Sequence, residues 1–285
     1  MNASNFIKNS RLFLQEYIIT NNLDSLVIGI SGGIDSTVSC AIARPVCDEL
    51  SVSLIGRSLP CNSNSNKEVD AAWIVGNAFC TNFNEVSLEC TYNDILDEIE
   101  AHEGDLNPLQ KGNIKARLRM LYLRNVASMH NGIVLDNDNY SEYQLGFWTI
   151  GGDSPMDLNL GLHYLWKSEV YDLAYHLAQD YLGDRDLDKH IALIKSIQLT
   201  PTDGNGVSKS DCEQFGLKNY DEVDEVLKYI LANKSVDVMD TAGYKELLKK
   251  YGDGVNKVTQ RHFSTLYKRA NQPIMPTKAD LNYEE

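Results

Sequence analysis

The residues Val27–Ser39, VIGISGGIDSTVS, combine a short apolar run with two adjacent glycines, an Asp-Ser pair and a helix-like segment. Gly32 and Gly33 carry no Cβ atom, so phosphate oxygens can approach the main chain closely. A helix beginning near Asp35 would point its positive end at such an anion. Because the Asp35 carboxylate repels a bare phosphate, its presence favours a Mg²⁺ ion between the two. The stretch therefore predicts a loop that binds the polyphosphate of a nucleotide.

This loop differs from both common phosphate-binding sequences. It lacks the Lys of G-x-x-x-x-G-K-[ST] and the spacing of G-x-G-x-x-G. The glycines alone also fit a tight strand-to-helix turn in which Asp35 is a cap. The complete Ser-Gly-Gly-x-Asp-Ser string resembles the pyrophosphate loop of the N-type ATP pyrophosphatases, enzymes that cleave ATP between its α and β phosphates.

The elements around the loop alternate between strands and helices, which predicts an α/β fold: a doubly wound parallel sheet flanked by helices. The pattern from Leu162 onward is mostly helical. Within one domain we expect an α/β nucleotide-binding core at about 1–180 and a mainly helical segment at about 181–285. Strands are predicted at Ser25–Ile30, Ser51–Pro60, Phe83–Leu88 and Asn131–Asp136, and helices at Ser10–Ile19, Thr37–Leu50, from about Lys67, at Tyr92–Ala101 and at Lys111–His130. Leu199–Asp211 and the tail after Pro273 are predicted to be irregular.

Composition limits the class of function. The 285 residues carry a formal net charge of −14, which argues against a general nucleic-acid or acidic-membrane binder. No apolar run reaches membrane-spanning length, and the first 20 residues form an amphipathic helix rather than a signal peptide. The six cysteines show no zinc spacing and are expected to be reduced thiols of a cytoplasmic protein.

Four further stretches narrow the family. They are KGNIKARLRM at Lys111–Met120, VLDNDNYSEYQLGFWTIGGDSPMDLN at Val134–Asn159, LWKSEVYDLA at Leu165–Ala174 and LYKRANQP at Leu266–Pro273. Together with the loop, and in this order, they resemble the ammonia-dependent NAD⁺ synthetases from about residue 5 to residue 273.

The resemblance implies a two-step ligation. The carboxylate of deamido-NAD attacks the α-phosphorus of ATP, giving an acyl adenylate and pyrophosphate, and ammonia then displaces AMP to give NAD⁺. Mg²⁺ is the implied cofactor and a homodimer the implied assembly. Only 30 residues precede Ser31, so no glutaminase domain is expected there and ammonia is expected from solution or from a separate protein.

The family's site residues are carried over by position. For ATP they are Gly29, Ile30, Ser31, Gly32, Gly33, Ile34, Asp35, Ser36, Asn137, Lys167 and Thr202; for Mg²⁺, Asp35 and Glu142; for deamido-NAD, Arg117, Asp157, Tyr267 and Lys268. Asp35, Glu142, Lys167 and Asp153 are the predicted catalytic residues, and Asp153 is expected to position or deprotonate ammonium. Alternative roles remain open: Glu142 and Lys167 as surface charges, Arg117 as an ion-pair partner and Lys268 as a solvated cation.

Several positions depart from the family pattern. Asn137 stands in place of a Thr, Ile150 in place of a substrate-contacting Lys, Ser154-Pro155 in place of Gly-Gly, Tyr267 in place of a His and Cys212 in place of an acid. The ATP half of the site is thus complete, whereas the acceptor half has diverged. Two other hypotheses stay open: an ATP pyrophosphatase that adenylates a different acceptor, and a catalytically silent nucleotide-binding protein.

Overall fold

The computed structural model describes residues 2–61, 65–153, 157–200, 210–233 and 238–269. In these ranges the strands are β1 Ser25–Gly29, β2 Ser53–Ser58, β3 Asn82–Glu85, β4 Gly132–Asp136 and β5 Leu158–Asn159. The α-helices are α1 Ala3–Asn21, α2 Ile34–Leu50, α3 Asn66–Phe79, α4 Glu89–Glu103, α5 Pro108–Met129, α6 Tyr140–Leu145, α7 Lys167–Gly183, α8 Leu187–Gln198, α9 Asp211–Phe215, α10 Tyr220–Ala232, α11 Ala242–Tyr251 and α12 Gly254–Ser264.

The five strands form one parallel sheet in the order β3-β2-β1-β4-β5. The register pairs Val27 of β1 with Ile55 of β2 on one side and with Val134 of β4 on the other. The chain winds in one direction from β1 to β3 and in the other from β4 to β5, so the strand order reverses between β1 and β4. Ligands of open α/β sheets bind beyond the carboxyl ends of the strands at such a reversal.

Alternate residues of the strands face two helical layers, as the pleat requires. Leu26 and Ile28 of β1 pack with α1, α2, α3, α7 and α8, whereas Val27 packs with α4 and α5. The predicted α/β fold with a doubly wound parallel sheet is confirmed. Strand β5 was not predicted, because two residues are too few to show periodicity, and β3 is shorter than predicted.

Helices α9–α12 enclose a separate apolar cluster that includes Val223, Leu227, Tyr244 and Val258. Leu145 of α6 belongs to the same cluster, and α10 also contacts α7. These helices therefore pack against the end of the sheet where α6 and α7 begin. Among the residues that the structure describes, none of the helices is both long enough and apolar enough to span a membrane. The division of the chain near residue 180 stays a prediction.

Candidate active site

A cleft opens at the carboxyl ends of β1 and β4, where the strand order reverses. It is lined by the segment that follows β1, by the segment that follows β4 and by the start of α7. Of the predicted site residues, it brings together Gly29, Ile30, Ser31, Gly33, Ile34, Asp35, Ser36, Asn137, Glu142, Asp153 and Lys167. Gly32 lies within the same loop, so the predicted ATP and catalytic residues in the described ranges meet in one place.

The segment after β1 has the geometry of an anion-binding loop. Gly32 has φ +79°, a left-handed conformation that glycine adopts without strain. Gly33 is the residue before α2 and has no side chain with which to cap the helix. The Gly33 N–H donates to Ser31 Oγ at 3.1 Å, and Ser36 Oγ donates to the Gly33 carbonyl at 3.1 Å. These bonds fix the turn and leave the N-terminal end of α2 directed into the cleft, where its dipole favours an anion.

One cation joins the two sides of the cleft. Lys167 Nζ lies 2.5 Å from Asp35 Oδ2, at the start of α2, and 2.8 Å from Glu142 Oε1, on α6. Only 3% of the Lys167 side chain is exposed. Its ammonium also lies 5.5 Å from the centre of the Tyr220 ring, an arrangement that adds a cation–π attraction. The buried position excludes the surface role that remained open for Lys167.

Asn139 connects the Asp35 side of this cluster to the Glu142 side. Its Oδ1 accepts from the Glu142 N–H at 3.0 Å and so caps α6, while its Nδ2 donates to Asp35 Oδ1 at 2.9 Å. An aspartate at this position would cap the helix but would have no donor for Asp35. The sequence prediction missed Asn139, although an Asn three residues before Glu142 is the spacing of a helix cap.

Burial and charge oppose each other within the cluster. Burial raises the pKa of Glu142 to about 7, with the Asp35 charge acting in the same direction and Lys167 against it. Burial also acts to lower the pKa of Lys167, but the adjacent Asp35 and Glu142 hold it well above its ordinary value. Lys167 is therefore a permanent cation that offsets the charge of the carboxylate pair.

The residues fit the implied Mg²⁺ ion by the chemistry of their donors. Asp35 and Glu142 direct one carboxylate oxygen each at a single position, which the Lys167 ammonium now holds. No group of three or more His, Cys, Asp or Glu side chains in the described part of the chain is arranged to hold a metal. Two carboxylates completed by substrate phosphates and water form a usual Mg²⁺ site of nucleotide enzymes.

Several groups around the cleft were not assigned a role from sequence. Arg57 and Arg119 line it, as does Asp211, which accepts from the Tyr220 hydroxyl at 2.9 Å. Asn137 Oδ1 is buried and no described residue donates to it. A buried acceptor without a donor is costly, so this atom favours a ligand that supplies a hydrogen bond.

The residues predicted for the acceptor do not line this cleft. Arg117 is exposed and donates to the Ile150 carbonyl at 3.3 Å, and Asp157 forms an ion pair with Arg124 at 3.2 Å. Tyr267 is 58% exposed. Lys268 donates to the carbonyls of Gly146 and Trp148. Arg117 is thus bonded to a backbone carbonyl and Asp157 to another side chain, as residues with a structural role are. Their assignment to deamido-NAD stays a prediction.

Asp153 links the cleft to the residues predicted for the acceptor. It lines the cleft, and its Oδ1 accepts from the Thr149 N–H at 2.6 Å. Burial raises the pKa of Asp153, against the Thr149 hydrogen bond and the charges of Arg119 and Lys268. Thr202 and Ser154-Pro155 lie outside the described residues.

Comparison with known proteins identifies the family. A family model described as NAD synthase matches residues 6–272. The NH3-dependent NAD⁺ synthetase of Finegoldia magna is 30% identical over 240 residues, covering 84% of this chain and 90% of that protein. Two solved structures share the fold: NMN synthetase from Francisella tularensis (TM-score 0.75, 23% identity, 97% of this chain and 99% of that one) and NH3-dependent NAD synthetase from Campylobacter jejuni in complex with nitrate (TM-score 0.68, 21% identity, 97% and 100%). By the extent of these matches, the chain belongs to the NAD synthase family.

Proposed function

We propose that this chain is an amide-forming ligase that converts deamido-NAD to NAD⁺ with ATP and ammonia. The observation that carries the proposal is the convergence of Asp35, Glu142 and Lys167 beside a glycine loop at the strand-order reversal. The reaction is inferred from family membership, and the cleft is the proposed binding site of the nucleotide.

In the first step the ATP phosphates lie on Gly29–Ser36. A carboxylate oxygen of the acceptor forms a bond to the α-phosphorus, and the bond from that phosphorus to the bridging oxygen of pyrophosphate breaks. The N-terminus of α2 and the Lys167 ammonium stabilise the charge that develops on the leaving pyrophosphate. Asn137 Oδ1 accepts a hydrogen bond from the bound nucleotide.

Asp35 and Glu142 would hold Mg²⁺. When bound, this ion supplies positive charge that lets the acceptor carboxylate approach the triphosphate and stabilises the departing pyrophosphate. Lys167 must then exchange its carboxylate contacts for phosphate oxygens. Such an exchange keeps the buried charges paired throughout.

In the second step ammonia attacks the activated carbonyl carbon. The new C–N bond forms as the C–O bond to AMP breaks, and one proton leaves the nitrogen. Of the carboxylates that line the cleft, we assign to Asp153 the role of accepting this proton or orienting ammonium. We further propose a homodimer and a cytoplasmic location.

Turnover assays test this function directly. With ATP, Mg²⁺ and ammonium, we expect AMP, pyrophosphate and NAD⁺ to form only when deamido-NAD is present. The same assay with glutamine in place of ammonium compares the two nitrogen donors. Absence of NAD⁺ under these conditions would overturn the proposal.

A different carboxylate acceptor is the second candidate, and residue 150 is the observation that favours it. Ile150 removes a positive charge that the family pattern places against the substrate. The assay therefore includes other nicotinate nucleotides, such as nicotinate mononucleotide. A kcat/KM higher for one of these than for deamido-NAD would select the alternative.

Lys268 gives a prediction on pH. Burial lowers the pKa of Lys268 to about 8, and the charge of Arg261 acts in the same direction. Since the side chain is cationic below that pH and neutral above it, affinity for the anionic acceptor should fall by up to about tenfold between pH 8 and pH 9, because one proton is linked to binding. Calorimetric titration with deamido-NAD, without ammonium, measures this change. Lys268→Arg keeps its charge and should abolish the pH dependence; a wild-type affinity that is constant from pH 7 to pH 9 would contradict the assignment.

Asp153→Asn tests the handling of ammonia. The amide oxygen can still accept from the Thr149 N–H, so the change removes charge and keeps the turn. We expect the KM for ammonium to rise about tenfold, the scale of one lost hydrogen bond to a charged group, with the KM for ATP unchanged. Asp184→Asn, at an exposed carboxylate that follows α7, is the control. Unchanged ammonia dependence in Asp153→Asn would count against this role.

A further inference from the structure

A buried carboxylate lies behind the ion cluster and has no part in the proposed reaction. Asp224 is on α10 and is 1% exposed, between apolar residues that pack in the helical C-terminal cluster. Burying a carboxylate is unfavourable unless hydrogen bonds compensate. Asp224 Oδ1 accepts from Ser141 Oγ at 2.5 Å, and Oδ2 accepts from the Ser168 N–H at 3.0 Å.

These bonds supply a missing helix cap. The residue before α7 is Trp166, whose side chain makes no capping hydrogen bond. The first N–H groups of a helix have no partner within the helix and need one from elsewhere. Here the Lys167 N–H donates to Ser141 Oγ at 2.8 Å, and the Ser168 N–H donates to Asp224. The N–H groups of Lys167 and Ser168 are thus capped by two residues on other helices, and the negative charge of Asp224 matches the positive end of the α7 dipole.

The same bonds connect the backbones that carry the ion cluster. Ser141 directly precedes Glu142, and Ser168 directly follows Lys167. Ser141 Oγ uses both of its functions at once: it donates to Asp224 and accepts from the Lys167 N–H. Any shift of α6 along α7 would break this chain of hydrogen bonds. The separation of the Glu142 and Lys167 side chains therefore depends on Asp224.

We propose that Asp224 is a positioning residue that, through Ser141 and the N-terminus of α7, fixes Lys167 against Asp35 and Glu142 for phosphate binding. The inference rests on the proposed role of these three residues in binding ATP. The proposed role of Asp224 is the same whether the acceptor is deamido-NAD or another carboxylate. Through Asp224, the helical C-terminal cluster helps to form the nucleotide site, although Asp224 itself does not line the cleft.

The test compares Asp224→Leu, Asp224→Asn and Ser141→Ala. Leucine has the same branching at Cγ and removes both bonds, so we expect a loss in kcat/KM for ATP of about 100-fold, the scale that a misplacement of about 1 Å produces. Asparagine can accept from the Ser168 N–H and donate to Ser141 Oγ, so it should restore most of the activity. Ser141→Ala removes the bond to Asp224 Oδ1 and the bond from the Lys167 N–H but keeps the bond from the Ser168 N–H to Asp224, and it should act in the same direction as leucine. The KM for the acceptor should stay unchanged in all three variants.

Thr259→Val is the matched control. Thr259 is 2% exposed in the same cluster, with its Oγ1 bonded to the Val255 carbonyl at 2.7 Å and to the Tyr244 hydroxyl at 3.0 Å. It is not bonded to Lys167, so its loss should lower stability without changing the KM for ATP. If the kcat/KM and the KM for ATP of Asp224→Leu equalled those of Thr259→Val, the proposal would be overturned. So would a Ser141→Ala enzyme with wild-type ATP kinetics.

Two further measurements separate this inference from the proposed function. In a Lys167→Met background, Asp224→Leu should weaken MgATP binding no further, because coupled residues are not additive; an additive loss would contradict the inference. Amide hydrogen exchange at the start of α7 should accelerate in Asp224→Leu and not in Thr259→Val, and equal exchange would also contradict it. Failure of the wild-type chain to bind MgATP would instead overturn the proposed function, and the exchange result would still decide whether Asp224 caps α7.

Discussion

Lys167→Met is expected to reduce kcat for ATP-dependent turnover by about 10²–10³-fold, the effect of deleting one electrostatic contact to a developing anion. It should also destabilise the fold by about 3–5 kcal/mol, because removing one partner of a buried ion pair leaves the other charges uncompensated. Lys167 has the two carboxylates of Asp35 and Glu142 as partners, and its own side chain is 3% exposed.

The response of the variant to Mg²⁺ distinguishes the site from an ordinary ion pair. With the ammonium removed, the carboxylates of Asp35 and Glu142 are open to a cation, and a cation that binds only the folded state stabilises it. Millimolar Mg²⁺ should therefore raise the Tm of Lys167→Met by more than that of the wild-type chain. Thermal unfolding with and without EDTA measures the difference.

Lys189→Met provides the control for this comparison. Lys189 lies 2.7 Å from Asp186 and 5.3 Å from the centre of the Tyr181 ring, so it has one carboxylate and one aromatic partner, away from the cleft. Its replacement should lower the Tm slightly with no Mg²⁺ response. If the wild-type chain and Lys167→Met shift equally with Mg²⁺, the carboxylate pair is not the cation site.

Gly32→Ala should disrupt both the loop and the helix packed behind it. At φ +79° a non-glycine residue costs about 1–2 kcal/mol. An added Cβ would lie 2.6 Å from the Ala72 nitrogen and 2.7 Å from the Ala71 Cβ, and overpacking of this kind costs about 1–3 kcal/mol. Relief requires the loop or α3 to move, so MgATP affinity should fall by about 100-fold or more, as for other misplaced binding groups.

Gly33→Ala is the neighbouring substitution that separates these effects. Gly33 has φ −71°, and a Cβ there would meet only Ser31 Oγ, at 3.2 Å. In a chemical denaturation experiment, the stability of Gly33→Ala should stay near that of the wild-type chain. Gly32→Ala should unfold at a lower denaturant concentration. Equal midpoints for the two variants would show that the left-handed turn is not required.

Much of the fold was predictable because its determinants are local. Apolar runs of four to six residues bounded by polar turns mark β1, β2 and β4, and helical spacing marks α1 to α5. The helix caps are also local: Asn107 and Gln110 cap α5 reciprocally, with Pro108 at its first position. Strand β5 is an exception, since Leu158 and Asn159 join the sheet only because β4 offers them an open edge.

The candidate site was predictable in parts. Residue types and family resemblance named Asp35, Glu142 and Lys167, but gave no reason for Asn139 or Asp224. Both act through hydrogen bonds to partners far away in sequence, Asn139 to Asp35 over 104 residues and Asp224 to Ser141 over 83. No periodicity or short motif encodes such a pairing.

The amino-acid sequence is enough to specify the chemistry of the loop after β1, since its glycines, hydroxyls and acid act through the backbone of one turn. It also determined the alternation of strands and helices, since both have short-range periods. Long-range packing makes β1 and β4 neighbours, which is what brings Asp35 against a lysine 132 residues away. The same packing buries this lysine between two carboxylates rather than leaving it exposed. Strand order and burial depend on how distant apolar faces pack, so they follow from the assembled fold and not from any single segment of the chain.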